Sequence, residues 1–193
     1  VAPRYTLRAK EECGTLPVSE AVRPLEEAAR IIRKKRHRRI GLETAHLTVD
    51  LFRKIKRLLA EISVKSLKDH LDRVRMLKDE GEIRRIEKAI EIHTRALEET
   101  LAWLTPDVTE REWAVEFEYR ARRGGADRLS FETIVASGPR SAAPHALADP
   151  VPLAEGAPVV FDHGVVWGGY CSDETVTFFT GEPSRRFRSL FQV

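Results

Sequence analysis

Two aspartates, Asp162 and Asp173, stand in the otherwise apolar, β-prone run VVFDHGVVWGGYCSDETVTFF, residues 159–179. Gly168 and Gly169 between them suit the two central positions of a tight hairpin turn. With that turn, Trp167 faces Tyr170, Val166 faces Cys171, Gly164 faces Asp173 and Asp162 faces Thr175. Side chains alternate along a strand, so Asp162, Thr175, Asp173 and Cys171 share one face. The two carboxylates become diagonal cross-strand neighbours, their side-chain bases about 7–8 Å apart or somewhat less. Gly164 is expected to leave open space opposite Asp173. Two carboxylates aimed into one partly buried volume repel each other, and an unpaired ion there is costly. No Arg or Lys occurs between Leu153 and Gly181 to relieve them. A shared proton or a bound cation remains. Oxygen donors at this separation suit hard divalent ions such as Mn or Co, and a bridged pair of ions. The alternative is an edge hairpin with both aspartates in water. Directly upstream, SGPRSAAPHALADP places His145 in a loop. Pro144 fixes the approach, and Ser141, Ala142, Ala143 and Ala146 keep it open. A histidine there can donate to a substrate or move a proton; it can equally be an ordinary loop residue.

The elements that would carry these residues read as a mixed α/β chain. RYTLRAKEE (Arg4 to Glu12) suits a short strand. SEAVRPLEEAARIIRKKRHRR suits a helix with Ser19 as N-cap and Val22, Leu25, Ala28, Ala29 and Ile32 at helical spacing, Pro24 fitting only near its start. RIGLE suits a strand, LTVDLFRKIKRLLAEI a helix with Leu51, Ile55, Leu58 and Leu59 inward, and SVKSL an extended link. Alternation of strand and helix over residues 1–67 is the pattern of an α/β unit, with too few strands to close a sheet alone. GEIRRIEKAIEIHTRALEETLAWL is the longest helix signal, with Ile83, Ile86, Ile90, Leu97, Leu101 and Leu104 on one stripe and Pro106 as its stop. Thr109 and Glu112 form a capping box for the next helix, which Gly124-Gly125 ends. RLSFETIVASG (Arg128 to Gly138) is strand-like and leads through the Pro/Ser/Ala loop into the hairpin.

The chain has 193 residues, 42% hydrophobic and 33% charged, enough for a domain or a domain and a half. No apolar run approaches the roughly 18 residues of a membrane span, and no signal peptide is visible. Two cysteines, Cys13 and Cys171, are too few for a disulfide framework, so a reducing compartment is expected. The net charge is only +3. The basic run RKKRHRR carries no interleaved aromatic residue, and cations suit a helix C-terminus; nucleic acid is therefore not an expected partner. There is no Asn, one Gln (Gln192) and one Met (Met76), a bias toward heat stability. The chain opens at Val1 and closes on FRSLFQV, the first turn of a helix, so both ends are expected to be internal.

LSFETIVASGPRSAAPHAL, then Asp162, then SDETVT, resembles the metallopeptidases of the pita-bread fold, and within them the Xaa-Pro branch of prolidase and aminopeptidase P. That branch reads S-F-x-T-I-V-A-S-G, P-H, D-x-G and G-Y-x-S-D-x-T-R-T in this order. The separations of 17 residues from His145 to Asp162 and 11 from Asp162 to Asp173 agree with it. VRMLKDEGEIRRIEKAIEI resembles the helix that opens the catalytic domain, and the upstream part resembles the end of a creatinase-like N-terminal domain. The resemblance implies an α/β (α+β) chain. Residues 1–67 would be the C-terminal part of the creatinase-like domain. Residues 68–193 would be the N-terminal half of a pita-bread domain with a curved, mostly antiparallel sheet. It further implies two divalent ions, Mn or Co with Zn as an option, on two aspartates, one histidine and two glutamates. Asp162 would bind one ion and Asp173 bridge both; the other three ligands have no match in the chain. His145 matches a histidine that contacts substrate, and Phe131 a pocket-lining aromatic. The implied reaction is hydrolysis of a peptide with proline at the second position, by a cytoplasmic enzyme that is a homodimer when full length. Methionine aminopeptidase, creatinase and a non-catalytic binding protein of the same fold are the alternatives. Two positions depart from the pattern. His163 stands where a small or apolar residue is usual; by alternation it points away from Asp162 and is not expected to be a metal ligand. Val176 stands where many members have arginine.

Overall fold

The computed structural model describes residues 1–67, 69–105 and 107–191. It divides into two compact units, Val1–Leu77 and Lys78–Val193, ten residues beyond the division that the sequence suggests. Those ten residues include a short helix that the sequence pattern does not separate from the next one.

The first unit contains α1 (Thr6–Cys13), α2 (Pro24–Lys34), β1 (Arg39–Leu42), α3 (Val49–Leu58), β2 (Ser63–Ser66) and α4 (His70–Met76). Residues 4–12, expected as a strand, are instead a 3-10 turn at Pro3–Tyr5 running into α1. Leu7, Arg8, Ala9, Lys10, Glu11 and Glu12 are all good helix formers, and Arg8 pairs with Glu12 one turn on at 2.6 Å; their propensity outweighs the weak alternation. The second helix starts at Pro24 rather than at Ser19. Proline is suited to the first helical position, where its missing N–H costs no bond. Val22 is consequently outside the helix and 86% exposed. β1 and β2 pair in parallel, Ile40 opposite Val64. Ala29 of α2, Ile55 of α3 and Leu59 just after α3 form a small core, while Leu51, expected inward, is exposed. The basic run Arg33–Arg39 is exposed throughout.

The second unit runs α5 (Glu80–Ala102), α6 (Glu110–Arg123), β3 (Arg128–Leu129), β4 (Ile134–Ser137), β5 (Pro158–His163), β6 (Val165–Trp167), β7 (Tyr170–Cys171), β8 (Glu174–Phe179) and α7 (Arg185–Phe191). Both long helices open on capping boxes, Asp79 with Glu82 and Thr109 with Glu112. Pro106, the expected stop of α5, lies outside the described residues. The buried stripe of α5 is Ala89, Ile92, His93, Ala96 and Thr100. The isoleucine stripe expected from the sequence is about a quarter-turn away, with Ile83 and Ile90 each 45% exposed. Small residues let α5 lie close against its neighbours, so the face of highest hydropathy is not the face of closest packing.

Every strand pairing in this unit is antiparallel, in two three-stranded sheets ordered β4-β5-β8 and β3-β6-β7. Phe161, Val159 and Val135 turn toward the helices and meet Trp113 and Phe117 of α6. The stretch expected as one strand over Arg128–Gly138 is split, β3 joining one sheet and β4 the other. The split follows from a break in the hairpin at Gly164, where the long ladder passes from one sheet to the next.

Candidate active site

The hairpin register is the one that the glycine pair dictates. Trp167 opposes Tyr170, Val166 opposes Cys171 and Asp162 opposes Thr175. Gly168 and Gly169 have φ of 57° and 84°, the left-handed pair that a type I′ turn needs. Asp127 accepts a bond from the Gly168 N–H at 2.8 Å and holds the turn. Between the two sheets the ladder is broken at Gly164 and Ser172, and hydroxyls replace the missing rungs. The Ser172 Oγ accepts from the Val165 N–H at 3.0 Å, and the Ser130 Oγ donates to the Ser172 carbonyl at 2.8 Å. Open space at Gly164 is not found. A Cβ there would sit 2.2 Å from the Ser172 carbonyl oxygen and 3.2 Å from the Phe131 ring. The glycine lets the two backbones close on each other.

On the face turned from the helices, Phe131, Glu132, Ile134, His145, Leu147, Asp162 and Asp173 line one cleft of about 360 Å³. All four residues singled out in the sequence therefore meet there. Asp162 is half-buried and accepts from the Thr175 hydroxyl at 2.8 Å, which orients its carboxylate. Asp173 is exposed, so the expectation of two partly buried carboxylates holds for Asp162 only. Among the described residues, no basic side chain other than His145 lines the cleft. Two carboxylates with an open mouth and no Arg or Lys form a hard-oxygen donor set, which fits a divalent cation. Glu132 is a lining carboxylate that the sequence pattern does not single out. It follows Phe131 in the linker between β3 and β4, where the residue types suggest continuous strand.

The loop bearing His145 is held from below. Glu110, fully buried at the start of α6, accepts from the Ser137 N–H at 2.8 Å, the Asp149 N–H at 3.2 Å and the Arg140 Nε at 3.1 Å. Arg140 goes on to the Leu147 carbonyl at 2.7 Å and the Asp149 carboxylate at 2.9 Å. One buried carboxylate thus ties the strand before the loop to the residues after His145. The long spacing from Glu110 to Arg140 and Asp149 hides this clamp in the sequence.

The opposite face of the same ladder carries a second polar group. His163 opposes Glu174 across the strands, and alternation sends it away from Asp162 into the helix side, as its position in the chain predicts. His93 of α5 lies beside it, ring centroids 5.0 Å apart. His93 contacts Ser172 Oγ through Nδ1 at 2.7 Å and Glu174 through Nε2 at 2.8 Å. Burial lowers the pKa of His93, while Glu174 works in the opposite direction. Burial and the neighbouring His93 lower that of His163 to about 3. Both imidazoles are therefore neutral at physiological pH. Val176 turns the same way and packs against the helix core.

The model of metallopeptidase family M24 matches residues 84–193, and the model of the creatinase/prolidase N-terminal domain matches residues 1–77. The chain belongs to metallopeptidase family M24. The M24 chain is 33% identical over 154 residues to the Xaa-Pro dipeptidase of Pyrococcus horikoshii, which covers 80% of this chain and 44% of the relative. Among solved structures it is similar to the X-Pro aminopeptidase of Thermotoga maritima, at 34% identity and a TM-score of 0.90 over 100% of this chain and 53% of that one. It is also similar to the Xaa-Pro dipeptidase of Bacillus anthracis, at 29% identity and a TM-score of 0.93 over 100% and 54%. The M24 chain spans about half the length of the curated relatives it matches. The mixed α/β fold, of the pita-bread class that the sequence suggests, is the one this chain shares with these solved structures. No helix among the described residues is long and apolar enough to cross a membrane.

Proposed function

We propose that this M24 chain carries the first part of the active site of an Xaa-Pro peptidase. Residues of the first unit would be the end of its creatinase-like domain and residues of the second the first half of its catalytic domain. The observation that carries the reading is the single cleft that Asp162, Asp173, His145 and Phe131 line together. The prolidases and X-Pro aminopeptidase among its relatives support the substrate class.

In this reading Asp162 and Asp173 hold a pair of divalent ions, Mn or Co, together with ligands from the remainder of the complete protein. Such ions supply Lewis acidity and a water acidic enough to act near neutral pH. The chain's own residues do the rest. Thr175 donates to Asp162 and fixes which carboxylate oxygen is free. Phe131 and Ile134 give the cleft an apolar wall suited to a proline ring. Among the described lining residues, His145 is the one side chain with a nitrogen donor. In this reading it would hydrogen-bond the substrate carbonyl, whose oxygen would gain negative charge as the bond before the proline nitrogen is attacked. The Glu110 clamp limits how far that loop can move. The break at Gly164 brings the backbone beside Asp173 close to that beside Asp162, so both carboxylates reach one cleft.

The test uses the complete protein, a dipeptide and a longer peptide each with proline second, and metal analysis. Asp162→Ala is expected to lose at least one ion and nearly all turnover. His145→Ala is expected to keep its metal and lose roughly 10²-fold or more in turnover. Parental turnover in His145→Ala would remove the proposed donor. Full metal content in both Asp162→Ala and Asp173→Ala would reject the site. Cleavage of the dipeptide alone, or of the longer peptide alone, separates dipeptidase from aminopeptidase.

A further inference from the structure

His163 is 0% exposed, and among the described residues neither of its ring nitrogens has a hydrogen-bond partner. A buried imidazole in that condition loses the bonds it would make in water and gains none in return. The rings of Phe117 and Phe161 flank it at 4.7 and 4.4 Å and offer no acceptor. What does lie within reach is chemical. His93, His163 and Glu174 each present a ligand atom within 4.8 Å of the others. Among the described residues no other three of His, Cys, Asp and Glu come together in this way.

We propose that His93, His163 and Glu174 form a second metal site, distinct from the aspartate cleft, which takes one borderline transition ion such as Zn²⁺. Two neutral imidazoles and one carboxylate are the donor set that such an ion prefers over Mg²⁺ or Ca²⁺. The surroundings already supply the outer partners. With the ion on Nε2 of His93, its Nδ1–H donates to Ser172 Oγ, 2.7 Å away. Ser172 Oγ also accepts from the Val165 N–H at 3.0 Å and can donate to the Val165 carbonyl at 3.4 Å. A metal-bound histidine held through its other nitrogen in this manner is oriented and made more basic. Glu174 is the way in, since its side chain is 44% exposed where that of His93 is 2%. His163 and Glu174 are a cross-strand pair and His93 belongs to α5. The ion would therefore pin α5 to the β5–β8 ladder, on the reverse of the strands that carry Asp162 and Thr175.

The experiment uses the full chain with the front site removed by Asp162→Asn and Asp173→Asn. It is stripped with a chelator and titrated with Zn²⁺ by calorimetry, followed by metal analysis after gel filtration and by X-ray absorption at the zinc edge. The expected result is one Zn²⁺ per chain with two imidazole nitrogens in its shell. Glu174→Gln, an exposed change that leaves the fold intact, is expected to weaken binding at least 10-fold, and His163→Leu to abolish it. Absence of stoichiometric zinc in the folded parent would overturn the site and leave His163 to a buried water. Zinc bound with unchanged affinity in a folded Glu174→Gln chain, or with a shell lacking imidazole, would overturn it as well.

Discussion

Replacing Glu110 by alanine isolates how much the buried clamp beneath the His145 loop contributes. Glu110 is fully buried, so no water takes over its bonds. The Ser137 N–H, on a residue only 5% exposed, is left without an acceptor, which costs about 1–3 kcal/mol. Asp149 and Arg140 are partly open to solvent, and Arg140 keeps the Leu147 carbonyl and the Asp149 carboxylate. Their losses are therefore discounted to about 1 kcal/mol together. Removal of a negative charge from the first turn of α6 adds roughly 0.3–1 kcal/mol. The sum, about 2–5 kcal/mol, overlaps the 3–5 kcal/mol typical of stripping one partner from a buried ion pair. Glu112, two residues on, is an internal control, since it has the same charge in an exposed capping box; Glu112→Ala is expected to cost only about 1 kcal/mol. Urea unfolding gives both free energies, and hydrogen exchange locates the effect. In Glu110→Ala the Ser137 and Asp149 amides should exchange faster, while amides at the centre of α5 fall only by the global loss. A penalty below about 1 kcal/mol, or an Asp149 amide as protected as in the parent, would refute the clamp.

Two further outcomes follow from the ladder break and the buried histidines. Gly164→Ala should cost about 1–3 kcal/mol by denaturant unfolding, because its methyl group meets the Ser172 backbone and not a side chain that can rotate away; unchanged stability would show that the strands can part freely. In the metal-free chain His163 has its pKa lowered to about 3 by burial and by His93, against about 6.5 when unfolded. The unfolded chain thus binds the extra proton first. Stability is complete above about pH 6.5 and falls as pH drops toward 3, by up to about 1.4 kcal/mol per unit for this one group. His93, from α5, and Glu174, from β8, are the titratable groups that face it, and His93 shifts in the same direction. His163→Leu should flatten the slope between pH 6 and 4 in chelator, and an unaltered slope would place the proton elsewhere.

The parts of this molecule legible in its sequence are those set by neighbours in the chain. The Gly168-Gly169 turn fixes the register, and the register fixes which residues share a face, so the meeting of Asp162 and Asp173 follows from residue order alone. The capping box at Thr109 and Glu112 is legible for the same reason. Expectation and fold part where contacts distant in sequence decide. Residues 4–12 alternate weakly, but their helix propensity prevails. The α5 stripe follows alanines and a histidine because packing against α6 and β6 rewards small side chains. Gly164 has the look of a gap and is a contact, because the chain that fills it lies eight residues on, folded back. The same alternation that exposes Asp162 in the cleft also drives His163 and Glu174 to the helix side. Applied to both faces of the ladder, that rule pairs a histidine with a glutamate directly behind the aspartates. Only the distant His93, 70 residues before His163, needs the fold to bring it in. With the two proposed sites back to back, a hard cation would favour the aspartate side and a borderline one the imidazole side, so one strand would sort ions by ligand chemistry.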